Sequence, residues 1–216
     1  MEQFQKEFIE FAIAKQVLRF GEFTLKSGRV SPYFFNSGLF NDGESLARLG
    51  KFYVDAVRNS GLEFDFIYGP AYKGIPLASA MAIAYHDHYK TNYPFCCNRK
   101  EVKDHGEGGI TFGAQINGRA LIVDDVISAG TSIRESIDII NSGGGKAVAA
   151  VVAVGRQERG QGKQSAIQET EQAHKIKVIS IVNLDQIINF LAEHDDLQKY
   201  LGAINTYKSK YGVSGA

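Results

Sequence analysis

The sequence predicts an α/β domain: a central, mostly parallel sheet flanked by helices, with a small N-terminal hood. Three observations lead there. From Leu46 onward apolar runs alternate with amphipathic stretches, as strand and helix do in turn. The runs are continuous in Val, Ile and Ala, so both faces of the sheet are covered. The segment up to about residue 40 stands outside that alternation.

Phe4, Phe8, Ile9, Ala12, Ile13 and Val17 recur at helical spacing, an opening amphipathic helix that Gly21 is expected to end. Phe23-Thr24-Leu25 and Tyr33-Phe34-Phe35 flank the turn signal Ser27-Gly28 and predict a hairpin, which with the helix makes the hood. A helix to Asn59, closed by Gly61, a strand over 64–68 and a helix over 74–88 follow. Next come strands over 95–98 and 119–123, a helix over 133–141 and a strand over 147–154. A helix over 165–174, a strand over 178–182 and helices over 185–193 and 197–208 complete the chain. Residues 99–118, with Gly106, Gly108 and Gly109, lack periodicity and predict a mobile loop of the lid kind.

At 216 residues, with 44% apolar and 22% charged residues, the chain reads as one domain over 1–216 with a sizeable core. Its 24 basic and 24 acidic residues cancel, so no global field recommends nucleic acid or anionic lipid, and any anion must be bound locally. No run approaches the ~18 apolar residues of a membrane span, and no secretory signal is read at the N-terminus. Cys96 and Cys97, adjacent on a strand, point to opposite faces and suit a reducing cytoplasm. The histidines do not form a metal set: His86 and His88 do not share a helix face, and His174 and His194 have no carboxylate cluster at ligand spacing.

The strongest chemical signal is the segment 121–132, in which an apolar strand ends in Asp124-Asp125 and a small, hydroxyl-bearing turn leads into a helix. The acids thereby stand at the carboxyl edge of the sheet, where ligands of such folds bind. Backbone N–H groups and hydroxyls over Ser128-Ala129-Gly130-Thr131-Ser132 would converge at a helix N-terminus and suit a phosphate dianion. Ser132 and Glu135 also fit a capping box. The alternative is a solvated strand end. The glycine and lysine-hydroxyl pattern of nucleotide triphosphatases is missing, as is Gly-x-Gly-x-x-Gly after a strand.

Residues 122–132 resemble the phosphoribosyl-diphosphate signature of type I phosphoribosyltransferases. The stretches 23–28, 31–36, 69–74 (Gly-Pro-Ala-Tyr-Lys-Gly), 99–108 and 156–160 resemble the bacterial orotate phosphoribosyltransferases, so that the likeness covers roughly 8–188. The resemblance implies the type I phosphoribosyltransferase fold. It also implies transfer of a phosphoribosyl group from 5-phosphoribosyl 1-diphosphate to orotate N1, giving orotidine 5'-monophosphate and diphosphate in pyrimidine synthesis.

Under it, Asp124 and Asp125 accept from the ribose hydroxyls, and Val126, Ile127, Ser128, Ala129, Gly130, Thr131 and Ser132 hold the 5'-phosphate. Tyr72 and Lys73 meet the diphosphate, with a non-proline cis peptide between Ala71 and Tyr72; without the resemblance, Lys73 reads equally as a helix-start lysine over apolar surface. Arg99, Lys100, Lys103 and His105 arm a loop that closes over the site and, in a homodimer, reaches the neighbouring subunit; alone, such a charge cluster reads as a solvated loop. Lys103 matters most to the chemical step, with His105 beside it. Lys26, Phe34, Phe35 and Arg156 make the pyrimidine site, although Phe34 and Phe35 also read as hairpin core. Ser128 stands where many relatives have Thr, keeping the hydroxyl and losing the methyl. Mg²⁺ is expected on the diphosphate rather than in a protein cage. Rival readings are the same fold with another base, or a non-catalytic sensor of the sugar diphosphate.

Overall fold

The computed structural model describes residues 1–25, 27–103, 109–128, 130–160 and 162–213, with only the backbone of Val102 and Lys103. Strands β1 (Leu18–Thr24) and β2 (Val30–Phe35) form the antiparallel hairpin of the hood, next to helix α1 (Gln3–Ala14). The body comprises α2 (Gly43–Asn59), β3 (Phe66–Gly69), α3 (Gly74–Tyr89), β4 (Phe95–Lys103), β5 (Gly109–Gly113) and β6 (Arg119–Val123). It continues through α4 (Thr131–Ser142), β7 (Lys146–Gly155), α5 (Ala166–His174), β8 (Lys177–Asn183), α6 (Leu184–Ala192) and α7 (Leu201–Tyr211). The six-stranded sheet has the order β5-β4-β3-β6-β7-β8, parallel throughout except for β5.

Because strand side chains alternate between faces, each apolar run feeds two cores. Ile67, Cys97, Leu121, Val123 and Val151 join α1, α2, α3 and α6 on one face. Phe66, Tyr68, Cys96, Ile122 and Val152 join α4 on the other, with Ile167 of α5 packed against them. The two adjacent cysteines are thus divided between the cores as the strand period requires. From β3 the chain moves outward to β4 on one side, whereas β6, β7 and β8 step away on the other. The strand order therefore reverses between β3 and β6, and the crevice beyond their carboxyl ends is where an open α/β sheet places its ligand.

The hood packs through aromatic rings, Phe8 of α1 standing 6.4 Å from Phe35 of β2 and Tyr33 standing edge-on to Tyr207 of α7 at 6.4 Å. Asp42 caps α2 by accepting from the Ser45 N–H at 2.7 Å, and Asn183 with Gln186 forms a capping box at α6. No helix among the described residues is long and apolar enough to cross a membrane.

Several boundaries depart from expectation. Helix α1 stops at Ala14 because Gln16 turns left-handed at φ +59°, so Val17 lies past its end and Gly21 sits instead at an irregularity of β1. Within 99–118, residues 99–103 and 109–113 belong to the strands β4 and β5 rather than to a loop, and 104–108 lie outside the described residues. Asn98 pairs with Thr111, and Arg99 donates to the carbonyls of Thr111 and Gly109 while lying 5.1 Å from the Phe112 ring centroid. Past Cys97, β4 outruns β3 and pairs only with β5, an open side that tolerates such charges, and they hid the period of two. The predicted last helix is a short 3₁₀ turn over Gln198–Tyr200 followed by α7.

Candidate active site

The crevice between β3 and β6 collects the predicted phosphate and ribose residues. Asp124 and Asp125 leave β6 side by side, each about 8% exposed. Asp124 Oδ1 accepts from the Asp125 N–H and Asp125 Oδ1 from the Val126 N–H, both at 2.9 Å, which fixes the turn. Asp125 Oδ2 accepts from Lys73 Nζ at 2.6 Å and, in a short hydrogen bond, from the Ser37 hydroxyl. The Tyr53 hydroxyl donates to the Asp124 carbonyl at 2.8 Å from α2 behind.

These surroundings separate the two carboxyls. Burial, reinforced by the Asp125 charge, pushes Asp124 up despite hydrogen bonds from Asp125 N–H and Ser132. Burial also acts on Asp125, but the Lys73 ammonium and the Ser37 hydroxyl outweigh it and hold this carboxyl below its usual range. Asp125 is the firmly ionised member of the pair.

Past Asp125 the chain runs through Val126, Ile127 and Ser128 to Gly130, which caps α4 at φ +69°. A cavity of about 320 Å³ opens there, lined by Asp124, Ser128, Gly130, Thr131, Ser132 and, from β4, Lys100. The capping box expected of Ser132 and Glu135 does not form. The helix starts at Thr131, so Ser132 lies inside its first turn, and Glu135 turns instead to Lys100 Nζ at 3.7 Å. Ala129 lies outside the described residues.

The neighbouring loop follows β3. The Ala71–Tyr72 peptide is cis, as the resemblance implied. The Ala71 N–H donates to Asn98 Oδ1 at 2.9 Å, so the buried Asn98 ties the loop to β4. A Cβ at Gly74 would lie 2.9 Å from the Val123 carbonyl oxygen and 2.4 Å from Pro70 Cδ, so only glycine lets this loop close against β6. Lys73 and Tyr72 are exposed at its crest.

The pyrimidine residues assemble less completely. Phe35 is core against Phe8, and its neighbour Phe34, on the opposite face of β2, stacks at 5.6 Å on Phe23. The two are separated by the strand's alternation and do not face one space. Arg156, just past β7, donates through Nε and Nη2 to Glu158 Oε1 at 3.1 and 2.9 Å. Lys26, His105 and the Lys103 side chain lie outside the described residues, whereas Arg99 is turned into the β4–β5 pair. Ser37, Tyr53, Asn98 and Glu158 escaped the sequence reading. Only Glu158 carried a signal, an acid two residues from an arginine at a strand exit.

Comparisons with known proteins agree with this arrangement. The phosphoribosyl transferase domain family matches residues 38–195. The orotate phosphoribosyltransferase of Thioalkalivibrio sulfidiphilus is 56% identical over 213 residues, 99% of this chain and 100% of the relative. That of Pseudomonas aeruginosa is 55% identical over the same shares. The crystal structure of the Francisella tularensis orotate phosphoribosyltransferase superposes with a TM-score of 0.87 at 38% identity, covering 96% of this chain and 100% of that one. With matches along its whole length and the acid pair set at the reversal of strand order, the chain belongs to the orotate phosphoribosyltransferases.

Proposed function

We propose that this chain transfers the 5-phosphoribosyl group of 5-phosphoribosyl 1-diphosphate to orotate N1, releasing diphosphate and forming orotidine 5'-monophosphate for pyrimidine synthesis. The observation that carries the reading is Asp124-Asp125 at the end of β6, facing Lys73 across the crevice and running into the N-terminus of α4.

Breaking the C1–O bond leaves positive charge on the ribose ring and negative charge on the departing diphosphate, so the protein's work is positioning and electrostatic stabilisation. Asp125 accepts from a ribose hydroxyl, and its negative charge favours the ring as it becomes cationic. Asp124 takes the second hydroxyl. Thr131, Ser132 and the N–H groups opening α4 hold the 5'-phosphate, which the helix dipole favours. Lys73, on the loop after β3, and Lys100, on β4, attract the diphosphate. Arg156, with Lys26, takes the orotate carboxylate, and Phe34 offers an apolar wall.

Lys103, the last residue of β4, and His105, on the segment joining β4 to β5, would close over the leaving diphosphate, excluding water from the ring cation. In a homodimer that segment reaches the neighbouring site. The carboxylate oxygens of Asp124 and Asp125 and the Ser128 hydroxyl beside the crevice suit a hard cation that is carried on the diphosphate. Mg²⁺ on the diphosphate would neutralise the leaving group. The cytoplasm, where both substrates are free anions, is the proposed compartment.

The test is the fall in orotate ultraviolet absorbance on mixing protein, 5-phosphoribosyl 1-diphosphate and Mg²⁺, with uracil and hypoxanthine as controls. Orotate-only turnover is expected. Turnover of a control base instead would overturn the pyrimidine site, and binding of the sugar diphosphate without any turnover would favour a sensor.

A further inference from the structure

We propose that Glu158, held by Tyr33 and Tyr207, is the positioning group that presents one edge of the Arg156 guanidinium to the substrate carboxylate; the inference rests on the assignment of Arg156 above. Glu158 Oε1 receives Arg156 Nε at 3.1 Å, Arg156 Nη2 at 2.9 Å and the Tyr33 hydroxyl at 2.6 Å, while Oε2 receives the Tyr207 hydroxyl at 3.0 Å. The guanidinium carbon stands 4.9 Å from the centroid of the Tyr33 ring. Three elements thus meet on one carboxylate: the exit of β7, strand β2 and helix α7.

The geometry has a directional consequence. A guanidinium carries five N–H donors in a planar fork. Glu158 takes the Nε–Nη2 edge and leaves the terminal Nη1–Nη2 edge without a partner among the described residues. That terminal edge matches a carboxylate bidentately. A long side chain pinned before binding has less rotamer freedom to lose when the ligand arrives. The arrangement also answers how a mostly buried cation is kept without spending its whole hydrogen-bonding capacity internally. Burial pushes the Tyr33 hydroxyl well above its usual range, which favours the protonated form that donates to Glu158. The ring of Tyr33 supplies a second restraint, through its face, on the plane of the guanidinium.

An ion pair with a purely structural role would change stability and leave substrate preference alone, which makes the two separable. In the full-length protein, Glu158→Gln is expected to raise the orotate KM about tenfold while the KM for the sugar diphosphate stays within about twofold. Tyr207→Phe, which removes one hydrogen bond to Glu158 and none to Arg156, should raise the orotate KM about threefold. In an Arg156→Ala background, Glu158→Gln should add less than about twofold, because the group it positions is gone. Full multiplication of the two effects on the orotate KM would overturn the positioning role while leaving Arg156 as the carboxylate ligand. An orotate KM unmoved by Arg156→Ala alone would instead refute the assignment of Arg156, and the proposal with it. Should Glu158→Gln fail to fold, Tyr207→Phe decides, and an unchanged orotate KM in that variant counts against the proposal.

Discussion

Lys73 Nζ stands 2.6 Å from Asp125 Oδ2, so the cation assigned to the diphosphate is held by the carboxylate assigned to the ribose. Each group is presented to the crevice in a neutralised pair, and under the proposed assignments substrate binding would exchange this contact for two others. Ser37, donating to the same oxygen, adds a link to the short turn after the hood.

Loss of Lys73 should therefore act on stability as well as on binding. Asp125 is held below the usual carboxylate range, so its contribution is fully present above the unfolded pKa and disappears as pH falls through the folded one. Lys73→Met should weaken binding of the sugar diphosphate and be less stable than the parent at pH 7, with the stability gap narrowing below about pH 4. Denaturant melts across pH check it; a gap constant with pH would exclude the ion pair as its origin.

Asp124 presents the opposite sign. Burial holds its carboxyl above the usual range, so the ionised form costs stability at neutral pH, a cost that vanishes once both folded and unfolded forms are protonated. Asp124→Asn keeps an oxygen for the Asp125 N–H and should stabilise the fold by about 1 kcal/mol at pH 7.5 while lowering turnover at least tenfold, roughly the worth of one lost charge-assisted hydrogen bond. The gain should be absent at about pH 3.5. A destabilised Asn variant at neutral pH would show that Asp124 is held chiefly by its hydrogen bonds.

The alternation of strand and helix was legible because the parallel strands are uniformly apolar, and Asp124-Asp125 stood out as charges ending such a strand. Strand order was not legible, since nothing in β3 or β6 names its neighbour, and it is this order that brings Lys73 to Asp125. The β4–β5 pair was hidden because Arg99, Lys100 and Glu101 mask a period of two where β4 runs past the end of β3. Phe34 and Phe35 read as a pair until the hairpin sent them to opposite faces. Ser37 and Asn98 are polar residues in ordinary contexts whose importance comes from partners distant in sequence.

If the segment between β4 and β5 acts across a dimer, two defective protomers can complement each other. Lys103→Ala should lower kcat far more than it weakens sugar-diphosphate binding, since the charge it meets develops as the diphosphate departs. Mixing it with Asp125→Asn should restore activity, because one of the two sites in a mixed dimer receives both intact residues. Activity is read after subunit exchange confirmed by differently tagged chains. No recovery would place Lys103 in its own subunit's site.

The closeness of the loop after β3 to β6 gives the last test. A methyl at Gly74 would meet Pro70 Cδ at 2.4 Å and the Val123 carbonyl oxygen at 2.9 Å, groups on either side that are ring or backbone and cannot swing aside. Gly74→Ala should cost about 2 kcal/mol of stability, in the range of overpacked cores. Because the strain is relieved only by moving the loop away from β6, Lys73 moves with it. A shift of about 1 Å at a positioning group costs on the order of a hundredfold in rate, and that loss of kcat/KM is expected even where the variant is fully folded. Gly43→Ala, at the first position of α2 with nothing within 4 Å of its added methyl, is the matched control and should keep full activity. Comparable turnover in the two variants would show that the spacing between the loop and β6 does not set the reaction geometry.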